Sequence, residues 1–396
     1  MTPLDTRAAV RGVTPDAPSV RAFLEDHHLE FARTTGAFAA RSVASRAEPA
    51  DDGAARLEAR ALLGEIGGAG LLEPIARQDW RSCCLAREAL AAASPLADAV
   101  FALQGLSMVP ILLAGDAAQQ KRWVAASAGG RSMGAFAMTE TEAGSDVAAM
   151  ATSARRDGAH YVLNGHKTFI SNAGIADFYV VFASTDAAAG AKGISCFVVP
   201  ADAPGFRFAG AQVLSAPHPL GEIAFEECRV PAENRLGEEG RGFALGLKTL
   251  DRLRATVGAA ACGMASRALG EAIAHVRARR QFGKPLAEFQ LTQLKLARMA
   301  TELAAARLLV YRAAWTADQG AERVTLEAAM AKSYGTEAAQ RIVDDAVQLL
   351  GGAGVLASHP VDRLYRSVRA LRIYEGTTEI QHLVIAGQLL RQDSPA

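Results

Sequence analysis

Apolar positions along the chain change their period twice, and the changes divide it into three parts. Over residues 20–45, Val20, Phe23, Leu24, Leu29, Phe31 and Phe38 recur at helical spacing, which predicts one helix. Residues 47–53 are a polar break, and 55–66 reads as a second helix closed by Gly67 and Gly68. Residues 85–93, 96–113 and 116–126 continue the helical pattern until Gly129 and Gly130. From Ser132 to about Arg235, short β runs alternate with turn residues. The run 161–163 leads into Asn164 followed by Gly165, the strongest short hairpin signal, so a chain reversal is expected there. Residues 169–170, 178–182 and 194–199 read as buried strands, and 223–225 as the last strand before an exit at 229–231. Pro200, Pro204 and the Pro217 to Pro219 stretch mark loops. Beyond Gly240 the helical period returns in long runs, about 243–280, 286–318 and 326–350. Short segments follow around 360–369, and a last helix starts after Thr378, which fits a capping box with Gln381. Long helices of this kind pack as an antiparallel bundle. The expected fold class is α+β, mostly α: an N-terminal helical domain (1–130), a central β-barrel-like domain (131–238) and a C-terminal four-helix bundle (239–396).

Composition narrows the function. A chain of 396 residues exceeds what one hydrophobic core usually holds. Its 42 acidic and 42 basic residues cancel, which disfavours a nucleic-acid binder that needs a basic excess. The five cysteines, Cys83, Cys84, Cys196, Cys228 and Cys262, are odd in number and lack metal spacing. They read as reduced, mostly buried thiols of a cytosolic protein. His27, His28 and His382 show no ligand spacing, so no metal is expected. Near the start, Arg7, Arg11 and Arg21 alternate with Asp5, Asp16, Glu25 and Asp26, unlike an acid-poor transit peptide. No apolar run is read as long enough to cross a membrane, so no membrane insertion is expected. Excess Arg over Lys and abundant Ala suggest a bacterial gene, with a cytoplasmic product.

Two stretches carry candidate chemistry. Residues 373–381 (I-Y-E-G-T-T-E-I-Q) join an apolar lead-in to a Gly hinge and two hydroxyls. Alone, Glu375 there reads as an ordinary solvated carboxylate. Residues 137–146 (A-M-T-E-T-E-A-G-S-D) lie where helices give way to strands. Such a loop either reverses the chain or offers N–H groups and hydroxyls to a phosphate or polar ligand edge. With this run the chain resembles the acyl-CoA dehydrogenase family. The A-M-T-E-x-x-A-G-S-D pattern is unbroken, and R-R-Q-F-G-K-P at 279–285 fits. Q-L-L-G-G-A-G at 348–354, P-V-D-R at 360–363 and the 373–381 stretch follow in the family's order. The resemblance covers about residues 20–391.

The resemblance implies FAD at the junction of the β-domain and the bundle. Phe136, Met138, Thr139, Gly144 and Ser145 would line the flavin from one side, and Phe169 and Ser171 would lie against the ring. Arg279, Gln281 and Phe282 would reach the pyrophosphate of a neighbouring subunit's FAD, and Gln348, Gly351 and Gly352 the same cofactor. Thr377 and Glu379 would meet the cofactor edge. Arginine forks and close-approach glycines suit these roles, although 277–284 taken alone reads as a solvated basic helix end. Ser145, Asp251, Arg254, Tyr374 and Gly376 would border the acyl-CoA. Asp251 and Arg254 read as readily as an intrahelical pair. Glu375 would be the base that takes the proton next to the thioester, its pKa raised by burial, while the hydride goes to flavin. Some relatives place a base where this chain has Leu253, which cannot abstract a proton. The implied reaction is dehydrogenation of an acyl-CoA to the trans-2-enoyl-CoA, with an electron-transferring flavoprotein as partner in a homo-oligomer, dimer or tetramer.

The chain departs from the family at Phe169, which stands for the usual Trp, and at 213–220 (V-L-S-A-P-H-P-L), which replaces a segment near the CoA arm. That leaves open whether CoA or another carrier bears the thioester. His218 in this loop reads as a loop residue. Two other classes share the fold: flavin oxidases and monooxygenases, and flavin-binding relatives without dehydrogenase activity. Nitroalkane-oxidising relatives carry Asp where this chain has Glu375, and DNA-associated relatives carry a basic C-terminal surface that this neutral chain lacks.

Overall fold

The computed structural model describes residues 12–392, so Asp5, Arg7 and Arg11 lie outside the described part. In chain order the long helices are α1 (Asp26–Phe38), α2 (Asp52–Gly68), α3 (Trp80–Ala93), α4 (Pro95–Ala114), α5 (Gly242–Ala278), α6 (Gln290–Asp318), α7 (Thr325–Leu350), α8 (Pro360–Leu371) and α9 (Thr378–Gln392). The chain folds as two compact units. One takes residues up to Ala47, Arg81–Asp98 and everything from Arg254; the other takes Glu48–Trp80 and Ala99–Leu253. The architecture is helical, then β, then helical along the chain, as the change of period predicts.

The second unit holds the sheet. Its strands are β1 (Gly134–Ala137), β2 (Ser153–Asp157), β3 (His160–Ser171), β4 (Phe178–Ser184), β5 (Ile194–Pro200), β6 (Phe206–Ala211), β7 (Leu220–Pro231) and β8 (Arg235–Leu236). They run in the order β6-β7-β3-β2-β4-β5-β8, with β1 parallel to β4. Tyr161, Leu163, Val181, Phe197, Ile223 and Phe225 fill the core beneath. Strands β2 and β6 escape the sequence pattern because few of their side chains are buried, one in β2 and none in β6.

The expected reversal at Asn164 and Gly165 does not occur. They sit inside β3, where the register against β7 slips by a bulge. The Asn164 side chain bonds Glu227, and a side chain at Gly165 would strike Thr152 at 2.6 Å. The turn falls instead between Asp157 and His160, at Gly158 with φ 60°. Gly165 is therefore a close-approach glycine, a role that also marks Gly in strands.

The first expected helix is also divided. Ala17–Phe23 is a 3-10 turn, Leu24 is extended, and α1 starts afresh where the Glu25 N–H donates to His28 Nδ1 at 3.0 Å. Helix α4 corrects another expectation. Its 20 residues are long and apolar enough to cross a membrane, yet most of it is buried inside the fold.

In the first unit, α5, α6 and α7 approach closely. A Cβ at Gly258 would come within 2.7 Å of Val310 and 2.9 Å of the Ala331 carbonyl. Buried ion pairs tie α3 into this unit. Arg87 makes a bidentate pair with Asp98 at 2.8 and 2.9 Å and donates to Thr256. Glu88 accepts from Arg307 and Tyr311. All five cysteines are buried, and none of them is in a disulfide.

Candidate functional site

The loop between α8 and α9 carries Glu375, and its backbone is unusual. Glu375 has φ 54° and Gly376 φ 91°, two consecutive left-handed residues. Side chains within the same unit hold that turn. Arg254 Nε on α5 and Gln381 Nε2 on α9 donate to the Glu375 carbonyl at 3.4 and 3.2 Å. Gln381 Nε2 and Lys332 Nζ on α7 donate to the Gly376 carbonyl at 3.1 and 2.6 Å. Further along α7, Glu337 accepts from Arg372 and from Thr378 Oγ1, both at 2.7 Å. The capping expected of Thr378 and Gln381 belongs elsewhere. Thr377 is the cap, its Oγ1 accepting the Ile380 N–H at 3.3 Å, because Glu337 takes the Thr378 hydroxyl and the loop carbonyls take the Gln381 amide.

Glu375 itself is poised. Its Oε2 is buried and has no hydrogen-bond partner among the described residues, nor does its backbone N–H find an acceptor there. Burial pushes its carboxyl above the ordinary range; Arg87, Lys332 and Arg254 pull back and Asp98 adds to the rise. A proton on this carboxyl is thus less costly than in water, the condition for a base near neutral pH. Tyr374 beside it is partly exposed, and Glu379 is exposed. Arg254 is buried, while Asp251 is half-buried on the same helix. Leu253 is buried within the other unit, where a Cβ added at Gly105 would lie 3.3 Å from its side chain, and it offers no proton acceptor.

The β-containing unit gathers the other group. Lys167 Nζ on β3 donates to Glu140 Oε1 at 2.7 Å and to the Met138 carbonyl at 3.1 Å. Glu140 also accepts the N–H groups of Ala151 and Thr152, which closes the loop that follows β1. Burial opposes ionisation of Glu140, but Lys167 and these donors outweigh it and hold the carboxyl below its usual range. Thr139 is half-buried on this loop, and Gly144 and Ser145 are exposed at its tip. Phe136 packs on Phe182 with ring centroids 5.0 Å apart. Met138 is buried against Gly246. Phe169 is 62% exposed and left-handed at φ 55°, its N–H held by Gln212 Oε1 at 2.9 Å. Ser171 Oγ lies 2.8 Å from His218 Nε2, so the unusual loop reaches this edge. The sequence missed Lys332, Gln381 and His218 as site partners. A lone Lys in the apolar run 328–333 was the available signal for the first.

Arg279, Gln281 and Phe282 stand exposed, the last two on a hairpin of β9 (Arg280–Gln281) and β10 (Lys284–Pro285). Gln348, Gly351 and Gly352 are exposed where α7 ends. Nothing lies within 4 Å of a Cβ built on Gly144, Gly351 or Gly352; the φ of 60° at the helix end accounts for Gly351, and internal packing does not explain the other two. The β-containing unit carries the open Gly144 backbone and an uncovered Phe169 ring, and the other unit carries the open backbone of Gly351 and Gly352. These features fit a flat, phosphate-bearing group such as FAD.

Comparison with known proteins agrees across the chain. Residues 25–131, 135–228 and 240–390 match the N-terminal, middle and C-terminal domains of acyl-CoA dehydrogenases. A 3-(aryl)acrylate reductase of Clostridium sporogenes is 41% identical over 330 residues, covering 83% of this chain and 85% of the relative. The human mitochondrial short-chain specific acyl-CoA dehydrogenase is also 41% identical over 330 residues, covering 83% and 78%. The butyryl-CoA dehydrogenase structure from Megasphaera elsdenii superposes with a TM-score of 0.87 at 35% identity, covering 93% of this chain and 99% of that one.

Proposed function

We propose, for a chain that belongs to the acyl-CoA dehydrogenase family of oxidoreductases, that it forms a double bond between the α and β carbons of an acyl-CoA thioester, with FAD as cofactor and Glu375 as base. The observation that carries this reading is the buried, unpartnered Glu375 Oε2 on a turn held by three side chains. The α C–H bond breaks as its proton passes to that oxygen. The unengaged Glu375 N–H is available to the thioester carbonyl as charge builds on it. FAD, when bound, supplies the acceptor for the hydride leaving the β carbon. Phe169 and Ser171 would hold the ring edge, Thr139, Gly144, Ser145 and the backbone at Phe136 and Met138 its flank. Thr377 and Glu379 would meet its rim, and Arg279, Gln281, Phe282, Gln348, Gly351 and Gly352 the phosphate-bearing arm of a neighbouring subunit's FAD. Ser145, Asp251, Arg254, Tyr374 and Gly376 would border the thioester. The reading takes domains of 1–130, 131–238 and 239–396, a bacterial cytoplasmic setting, a homo-oligomer, and an electron-transferring flavoprotein to reoxidise the cofactor.

Anaerobic mixing of the purified yellow protein with straight, branched and cyclic acyl-CoAs tests it. Flavin bleaching is expected with at least one of them, and Glu375→Gln should slow it by at least about a hundredfold while FAD stays bound. Bleaching of the variant at the wild-type rate would remove Glu375 from the role. The arylacrylate reductase relative favours a second reading, in which the same groups run in reverse and Glu375 returns a proton to an enoyl substrate. Faster turnover of an aryl-enoyl thioester with a reduced flavin than of its saturated partner with an oxidised one would select it.

A further inference from the structure

Lys332 is fully buried in the middle of α7, and among the described residues it makes no salt bridge. A buried ammonium without a paired anion is costly, so packing alone does not account for it. Four charged groups face it: Glu375, Arg254, Glu337 and Glu379. Glu337 is taken by Arg372 and Thr378, and Glu379 is exposed at the start of α9. Arg254 is a second cation and is bonded to the Glu375 carbonyl. The anion left to balance Lys332 is Glu375, whose Oε2 has no hydrogen-bond partner among the described residues. Lys332 Nζ donates to the next carbonyl along the turn, at Gly376.

We propose that Lys332 is a positioning residue for Glu375: it pins the left-handed turn through the Gly376 carbonyl and supplies the positive charge that keeps the neighbouring carboxylate ionised. The inference rests on the reading of Glu375 as the base. Two roles meet in one side chain. The pin aims the Glu375 N–H and carboxyl, because a turn with two consecutive positive φ values has no regular backbone ladder to hold it. The charge opposes the burial that would otherwise leave Glu375 protonated and unable to accept. Arg87 and Arg254 add to that field and Asp98 subtracts from it. Burial lowers Lys332 to about 8, with Glu375 opposing the fall, so its ammonium is present around neutral pH.

The test separates the two roles. Lys332→Gln keeps a donor and removes the charge, while Lys332→Arg keeps the charge. In the Gln variant the acidic limb of the kcat/KM pH profile is expected to move about one pH unit upward, with kcat at pH 6.5 down about tenfold and KM nearly unchanged. In the Arg variant the limb stays where the wild type has it. A Lys332→Gln enzyme with lowered kcat and an unmoved limb, or an Arg variant that shifts as far, overturns the proposal. Should Lys332→Gln not fold, the reciprocal coupling can be read with Lys332 intact. Removing the Glu375 charge lets Lys332 shed its proton at lower pH, so the unfolding midpoint of Glu375→Gln rises from pH 7 to 8, relative to wild type. Parallel midpoints in the two proteins also overturn it. If Glu375→Gln turns over at the wild-type rate, the base assignment fails instead.

Discussion

At Glu375 a non-glycine residue occupies a left-handed backbone, which costs on the order of 1–2 kcal/mol for an L side chain. The same residue buries a carboxyl oxygen without a partner. Both costs fall on stability, and under the proposed function both serve the chemistry, one by aiming the group and the other by raising its proton affinity. Glu375→Gly is therefore expected to abolish activity and to stabilise the protein by about 1 kcal/mol, after allowing for the entropy a glycine adds to the unfolded chain. The carboxyl holds its proton more tightly folded than unfolded, so its contribution to stability is present below pH 4.5 and is lost as pH rises. The gain in Glu375→Gly should accordingly grow from pH 4.5 toward neutrality, measured as urea midpoints. A variant less stable than wild type at pH 7.5 would mean that the turn prefers its glutamate.

The loop 212–220 illustrates how an element can matter without a pattern of its own. Gln212 holds the Phe169 N–H and the Thr168 hydroxyl, His218 holds Ser171, and the Pro219 carbonyl accepts the Asn172 N–H at 2.9 Å. Arg56 of α2 donates to the carbonyls of Ala173 and Leu220. Burial pushes His218 down to about 4; Asp52 opposes this and Arg56 assists it. The neutral ring is thus favoured by folding, and its stabilisation is complete above pH 6.5 and lost as pH falls toward 4. His218→Gln should flatten the loss of urea midpoint between pH 6.5 and 4.5; an equal slope in both proteins would place the acid sensitivity elsewhere. None of this was legible in the sequence, where prolines announced only a loop. What was legible depended on periodicity: the long helices, the buried strands and the ordered motifs. Asn164 and Gly165 misled because a turn signal and a bulge use the same residues, and only the neighbour at Thr152 decides between them. Thr378 and Gln381 misled likewise, since their capping geometry competes with acceptors brought in from α7 and from the loop itself.

For the whole molecule, the exposed hairpin β9–β10 is the feature that a lone chain leaves unexplained. Phe282 is 93% exposed and left-handed at its tip, a costly place for an aromatic ring. If the hairpin serves a neighbouring subunit's cofactor, Phe282→Asp should weaken FAD retention by about tenfold and release smaller species on sizing, with the circular dichroism unchanged. Full FAD occupancy in a variant monomer would refute that arrangement. The division into two units bears on a different matter, the order of synthesis. The chain leaves the first unit after Ala47, returns to it for 81–98, and completes it only from Arg254 onward. The second unit can close once Leu253 has been made, but α3, buried along nearly its whole length, must wait for most of its partners until then. During translation that buried helix has Val13 and Ala39 to lie against, through Ala89 and Ala92, and Phe23 and Glu25 to accept from Arg81. Nascent chains halted before α6 should therefore depend on chaperones and yield to protease at α3, however sound the finished β-containing unit already is.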